Sequence, residues 1–129
     1  MEPARLIPKI ENDMLQKLFT LQRKFGKKFT PFAELQKKAN GKLRQKYTLA
    51  FIDHTIEELI EMRRELPYRK HWSSKQDNAP DAEKLLEEYV DVLHFYITIA
   101  LIKGWTAKNI YKAYLNKNNI NHDRQLTNY

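Results

Sequence analysis

The sequence contains no cysteine, which excludes disulfide staples and thiolate-bound metals and is compatible with a reducing compartment. Glycine and proline are scarce, three and five in 129 residues, so long stretches run without a helix breaker. No window alternates strictly between apolar and polar residues, which removes the main signal for half-buried strands. Long hydrophobic runs are missing as well. The most apolar stretch, Val90 to Ile102, includes His94 and Tyr96 and falls short of the roughly 20 residues needed to cross a bilayer. It reads as a buried helix. The first residues, Met1-Glu2-Pro3-Ala4-Arg5, lack the apolar run of a signal peptide. A cytoplasmic protein with no membrane partner is the expectation.

What is present favours helices: Leu, Glu, Lys, Gln and Ala are abundant. Apolar residues make up 42% and charged residues 30%, a globular balance, and the length fits a single domain over 1–129. The net charge is +7, but it is unevenly spread. Residues 53–91 hold 11 of the 16 acidic residues and carry −5, leaving +12 for the remainder. Two readings follow. One is a basic nucleic-acid-binding surface with a solvated acidic helix face. The other is an acidic metal site whose basic rim attracts a polyanionic substrate.

Ile10, Met14, Leu18, Leu21 and Phe25 recur at spacings of three and four and predict an amphipathic helix from about Pro8 to Lys27. Thr30-Pro31 then opens a short helix that Asn40-Gly41 is expected to close. A long helix from about Leu43 to Leu66 follows, with Leu49, Ile52, Ile56, Leu59 and Ile60 as its apolar stripe, until Pro67 stops it. A polar connection reaches Pro80 and carries an isolated Trp72. Pro80-Asp81 opens a third long helix that ends at Lys103-Gly104. Thr106 caps a last helix over about Ala107 to Asn116, before a polar, Asn-rich tail. The expected fold class is all-α, a bundle of four to five helices.

The two central helices carry the chemistry-bearing pattern. Glu58, Glu61 and Glu65 stand at i, i+3 and i+7, one helical face, with His54 a turn earlier. Glu88 and Asp91 repeat the one-turn spacing on the next helix, flanked by Glu87 and His94. Such pairs are common on solvated faces, and each costs a few tenths of a kcal/mol unless a cation answers it. Here only Arg63 and Arg64 lie near the first pair in sequence, and the second pair abuts the most apolar stretch, where unpaired carboxylates are expensive. If the helices pack, four carboxylates meet. Oxygen ligands suit Mg²⁺ or Mn²⁺, and the absence of cysteine and of a zinc-like histidine spacing argues against zinc.

Glu58-x-x-Glu61 followed by Glu88-x-x-Asp91 resembles the E-x-x-E, E-x-x-D signature of the all-α nucleoside triphosphate pyrophosphatases. That superfamily includes the dimeric dUTPases, the MazG-like enzymes and the dCTP pyrophosphatases, and the surrounding residues look most like the dimeric dUTPases. Glu65 matches that family's third glutamate, and Lys70-His-Trp72-Ser73 is similar to its K-x-W-S element. Glu87-Glu88-Tyr-Val-Asp91-Val-Leu-His94-Phe95 closely matches E-E-x-V-D-x-L-H-F. The C-terminal pattern Tyr114, Lys117, Asn121, Arg124, Gln125 and Tyr129 resembles its closing motif. Gln22 matches the glutamine of its Q-x-x-L-N element, whereas Gly26 stands where the family has the asparagine it uses at uracil.

The resemblance implies cleavage between the α- and β-phosphates of a nucleoside triphosphate, dUTP first among candidates, giving the monophosphate and pyrophosphate. It implies Glu58, Glu61, Glu88 and Asp91 as ligands of Mg²⁺ (or Mn²⁺), and Glu61, then Glu58, as the carboxylate that receives the water's proton. Lys70, Lys117 and Arg124 are implied to hold the triphosphate, with Asn121 and Tyr129 donating neutral hydrogen bonds. Gln22 would read the base edge. Trp72 would wall the base or pack over a loop or subunit interface, and Glu65 would be a ligand or would orient Lys70. His54 and His94 are expected to support the site without binding metal. A homodimer is the implied state, and nucleic acid is not the expected partner. A MazG-like or dCTP-directed pyrophosphatase, favoured by Gly26, and a non-catalytic basic nucleic-acid-binding module are the alternatives.

Overall fold

A computed structural model describes residues 13–66 and 81–127. The described residues form helices joined by short turns, with no strand among them: α1 (Met14–Gly26), α2 (Phe32–Leu35), α3 (Gly41–Arg64), α4 (Ala82–Lys103) and α5 (Ala107–Leu126). A single 3₁₀ turn, Lys38–Asn40, joins α2 to α3. Asp13 caps α1 by accepting the Gln16 N–H at 3.0 Å. Asp81 does the same for α4, accepting from the N–H groups of Glu83 and Lys84. Thr106 and Asn109 form a reciprocal capping box at the start of α5.

The long helices α3 and α4 form an antiparallel pair. Phe51 meets Phe95, and further along Glu65 meets Lys84. The inner face of α3 runs Arg44, Tyr47, Thr48, Phe51, Thr55, Glu58, Met62 and Glu65, each at least half-buried and spaced by one turn. This departs from the expected stripe. Leu49, Ile52, Ile56, Leu59 and Ile60 all lie exposed, Ile56 at 49%. The reason is that α4 claims the face carrying the aromatic, threonine and glutamate side chains, and the aliphatic face is left to solvent within one chain.

The close-packed core sits at one end of the pair. Phe19 of α1, Phe32 and Leu35 of α2, Ile97, Ala100, Leu101 and Ile102 of α4, and Ala107 of α5 compose it, with Leu35 and Ile102 fully enclosed. Among the aromatics, Phe19 and Phe32 join the core and Phe51 is half-buried, while Phe25, Tyr96 and Trp105 are exposed. Gly104 ends α4 with φ +78°, a left-handed conformation that a side chain rarely adopts. A Cβ there would also collide with Gln36 Oε1, and Gln36 Nε2 is held by the carbonyls of Leu101 and Ile102.

Two boundaries differ from expectation. Gly41 does not close a helix. It opens α3 in ordinary helical geometry, φ −57°, because the 3₁₀ turn leads straight into it. Helix α5 continues ten residues beyond Asn116, to Leu126, since nothing in that polar stretch breaks a helix. The expected start of α1 near Pro8, and the prolines 67 and 80, lie outside the described residues. Among the described residues no helix is long and apolar enough to cross a membrane.

Candidate carboxylate site and the cavity beside it

The antiparallel register of α3 and α4 places Glu58 opposite Glu88 and Asp91. One carboxylate oxygen from each of the three lies within 4.8 Å of the others. Glu58 and Glu88 are half-buried and Asp91 is exposed. Glu61 stands beside the trio, close enough that the Glu58 carboxyl, when protonated, donates a hydrogen bond to it. Glu65 pairs with Lys84, Oε1 to Nζ 3.5 Å, instead of reaching the trio.

The electrostatics follow from crowding like charges where water is thin. Burial raises the pKa of Glu58 above the ordinary carboxyl range, and the negative charges of Glu61, Asp91 and Glu88 raise it further. Burial does the same to Glu88, reinforced by Glu61, Asp91 and Glu65 and only partly offset by Lys84. Glu88 Oε2 is buried without a hydrogen-bond partner among the described residues. Such an atom is costly unless something satisfies it. A hard divalent cation at the centre of the trio would satisfy it and would offset the repulsion among these charges, so the donor set fits such an ion.

His54 stays out of the trio. Its ring packs against Phe51 and Phe95, with centroids at 5.3 and 5.7 Å, and its Nδ1 lies 3.9 Å from Glu57 Oε2. His94 uses its backbone carbonyl to accept from the Thr98 hydroxyl at 2.8 Å.

A cavity of about 860 Å³, mostly apolar, opens against the trio and is lined by Glu58 and Asp91 themselves. Leu18, Leu21, Gln22 and Phe25 of α1 form one wall, and Phe51, Leu93 and Phe95 part of the other. The expected apolar stripe of α1 thus borders a cavity more than it fills a core. Gln22 Nε2 donates to Thr98 Oγ1 at 3.0 Å, which fixes the amide and leaves its carbonyl and second N–H for a ligand. Gly26 is buried, and a Cβ on it would sit 3.1 Å from the Phe32 ring, so an asparagine here would require that ring to shift.

Other residues singled out from the sequence lie elsewhere. Lys117, Asn121 and Arg124 are exposed along α5 and line neither this cavity nor a second one on the far flank of α1. Lys70, Trp72 and Tyr129 lie outside the described residues. Thr98 escaped the sequence reading, although a hydroxyl inside the apolar run Ile97–Ile102 is a legible oddity. Phe95 was visible only as the last residue of the motif around Glu88 and Asp91.

An all-α protein with acidic residues from two antiparallel helices converging at the mouth of an apolar cavity is built to bring a charged group and an apolar one side by side. A family model described as dUTPase matches residues 14–107, and the chain belongs to that family. Membership supports nucleotide pyrophosphatase activity. The match spans the trio and the cavity and stops before Lys117. No curated protein and no solved structure matches the chain significantly.

Proposed function

We propose that this protein hydrolyses a (deoxy)nucleoside triphosphate, dUTP foremost, to the monophosphate and pyrophosphate, with Mg²⁺ or Mn²⁺ held by Glu58, Glu88, Asp91 and Glu61. The observation that carries this reading is that the carboxylate trio and the cavity share Glu58 and Asp91, so a base in the cavity leaves its phosphates at the carboxylates. When bound, the cation supplies charge for the phosphate oxygens and lowers the pKa of an attacking water. Glu61 takes that water's proton, because it adjoins the trio without belonging to it; Glu58 is the second choice. Gln22, steadied by Thr98, reads the base edge, and the cavity excludes water from the base. The family resemblance alone assigns Lys117, Asn121 and Arg124, with Lys70, Trp72 and Tyr129, to the triphosphate and base; within one chain the first three line neither cavity. The working unit is a homodimer formed through the exposed aliphatic faces.

The test is pyrophosphate release from dUTP with and without Mg²⁺, on wild type and Asp91→Asn. Turnover is expected to need the metal and to fall at least about 100-fold in the variant. Metal-independent turnover, or an unaffected variant, would refute the proposal. The Phe32 ring over Gly26 favours a second reading, in which a different base or no particular base is selected. A panel of dUTP, dCTP and the remaining deoxynucleotides separates the two.

A further inference from the structure

A second cavity, of about 520 Å³, lies on the other flank of α1 and shares no lining residue with the first. Arg23, Lys24 and Lys27, from the last turn and C-cap of α1, line it. No acidic residue does, and none of the three cations forms an ion pair among the described residues. Facing them are Thr106 and Ala107, the start of α5; Thr106 Oγ1 already takes the Asn109 N–H, but the helix dipole and the remaining first-turn N–H groups favour an anion. Beside that helix start stands Trp105, 46% exposed, with the Lys103 ammonium 5.9 Å from its ring centroid.

Basic residues at a helix C-terminus are ordinarily explained by the α1 dipole alone. That explanation accounts for neither a cavity of small-ligand size nor the positive end of a second helix pointed at the same space. It also leaves Trp105 unexplained. The indole follows the left-handed Gly104 directly, and the Schellman-type bond from Trp105 N–H to the Ala100 carbonyl, 2.9 Å, anchors its backbone at the rim. A flat apolar surface next to a cluster of cations is the pairing that a nucleotide needs, stacking for the base and charge for the phosphate.

We propose that this cavity is a second binding site, for a phosphate-bearing nucleotide, with the phosphate on Arg23, Lys24, Lys27 and the start of α5 and the base against Trp105. A free mononucleotide and the 5′-phosphorylated end of a single strand share this chemistry. The site works without a divalent cation, since the protein itself supplies the positive charge, and it is independent of the carboxylate site.

The experiment is calorimetric titration in EDTA, with adenosine 5′-monophosphate and with a 5′-phosphorylated tetradeoxyadenylate. Wild type, Asp91→Asn, Trp105→Leu and the double variant Arg23→Glu/Lys27→Glu are compared, each checked for native helicity by circular dichroism. Wild type and Asp91→Asn are expected to bind alike. The double charge reversal is expected to weaken both probes at least about tenfold, and added salt to weaken wild-type binding. Trp105→Leu is expected to weaken the monophosphate, and inorganic pyrophosphate, titrated as a base-free control, is expected to bind this variant as it binds wild type. Equal affinity for the two probes identifies a free nucleotide as the occupant, and markedly tighter binding of the tetranucleotide identifies a strand end. Absence of metal-free binding, an unchanged dissociation constant in the double variant, or a loss confined to Asp91→Asn would overturn the proposal. Metal-dependent dUTP turnover by the double variant, expected within about twofold of wild type, separates failure here from failure at the carboxylates.

Discussion

Glu88 concentrates the tension in this molecule. One of its oxygens is enclosed without a hydrogen-bond partner among the described residues, and three neighbouring carboxylates oppose its charge. Because its native pKa is raised above the unfolded value, the native state binds the proton more tightly. In metal-free buffer the penalty is therefore absent at and below the ordinary carboxyl range and grows as pH rises through the raised native value. Glu88→Gln removes the charge at constant shape. The variant is expected to melt at a higher temperature than wild type at pH 7.5 in EDTA, and the two to converge near pH 4.5, the ordinary glutamate value. Mg²⁺ is expected to raise the wild-type melting temperature and to leave the variant nearly unchanged. A wild type that gains metal-free stability from pH 5 to 7.5, relative to the variant, would show that the carboxylates are not in conflict.

At the scale of the element, the junction between α4 and α5 depends on Gly104. Its positive φ turns the chain and its missing side chain admits Gln36, whose amide closes the last carbonyls of α4. Gly104→Ala meets both obstacles together. A loss of about 1–3 kcal/mol is expected from the strained backbone alone, read from urea unfolding. A second variant, Gly41→Ala, serves as contrast: Gly41 has helical angles and open space, so alanine there is expected to be neutral or stabilising. The inner face of α3 makes the related point that a helix need not bury its greasiest stripe. Phe51 and Thr55 pack toward α4, and Thr55 Oγ1 closes on the Phe51 carbonyl at 2.7 Å, while the aliphatic positions turn outward.

For the whole molecule, that outward face leaves a long apolar stripe exposed. Leu49, Ile52, Ile56 and Leu59 follow one another at single-turn spacing along α3, and α5 exposes Tyr111, Tyr114 and Leu115. A second copy covering α3 is the economical solution and underlies the homodimer in the proposed function. Light scattering after gel filtration is expected to give twice the 15.5 kDa chain mass for wild type. Ile56→Glu, which places a charge mid-stripe, is expected to give the monomer with helicity preserved. A wild type that elutes as a monomer, or a variant that stays dimeric, would remove α3 as the interface.

The helical class, the two central helices and the acidic pair that each of them carries were legible in the chain, because each depends on local spacing. Few glycines and prolines leave helices unbroken, and i, i+3 carboxylates share a face in any helix. The extent of α5 was misread for a compositional reason, since asparagine lowers helix propensity without ending a helix. Which face of α3 turns inward was not legible, since two stripes of comparable length compete and only the docking of α4 chooses between them. The same docking register brings Glu58 to Glu88 and Asp91 while leaving Glu65 to Lys84. It also sets the cavity against Glu58 and Asp91, while the packing of α1 beside the α4–α5 junction gathers Arg23, Lys27, Trp105 and the start of α5 around another. Sequence alone determined what each helix carries; tertiary structure decided what those groups meet, because meeting depends on register and crossing between distant segments, for which local periodicity holds no information.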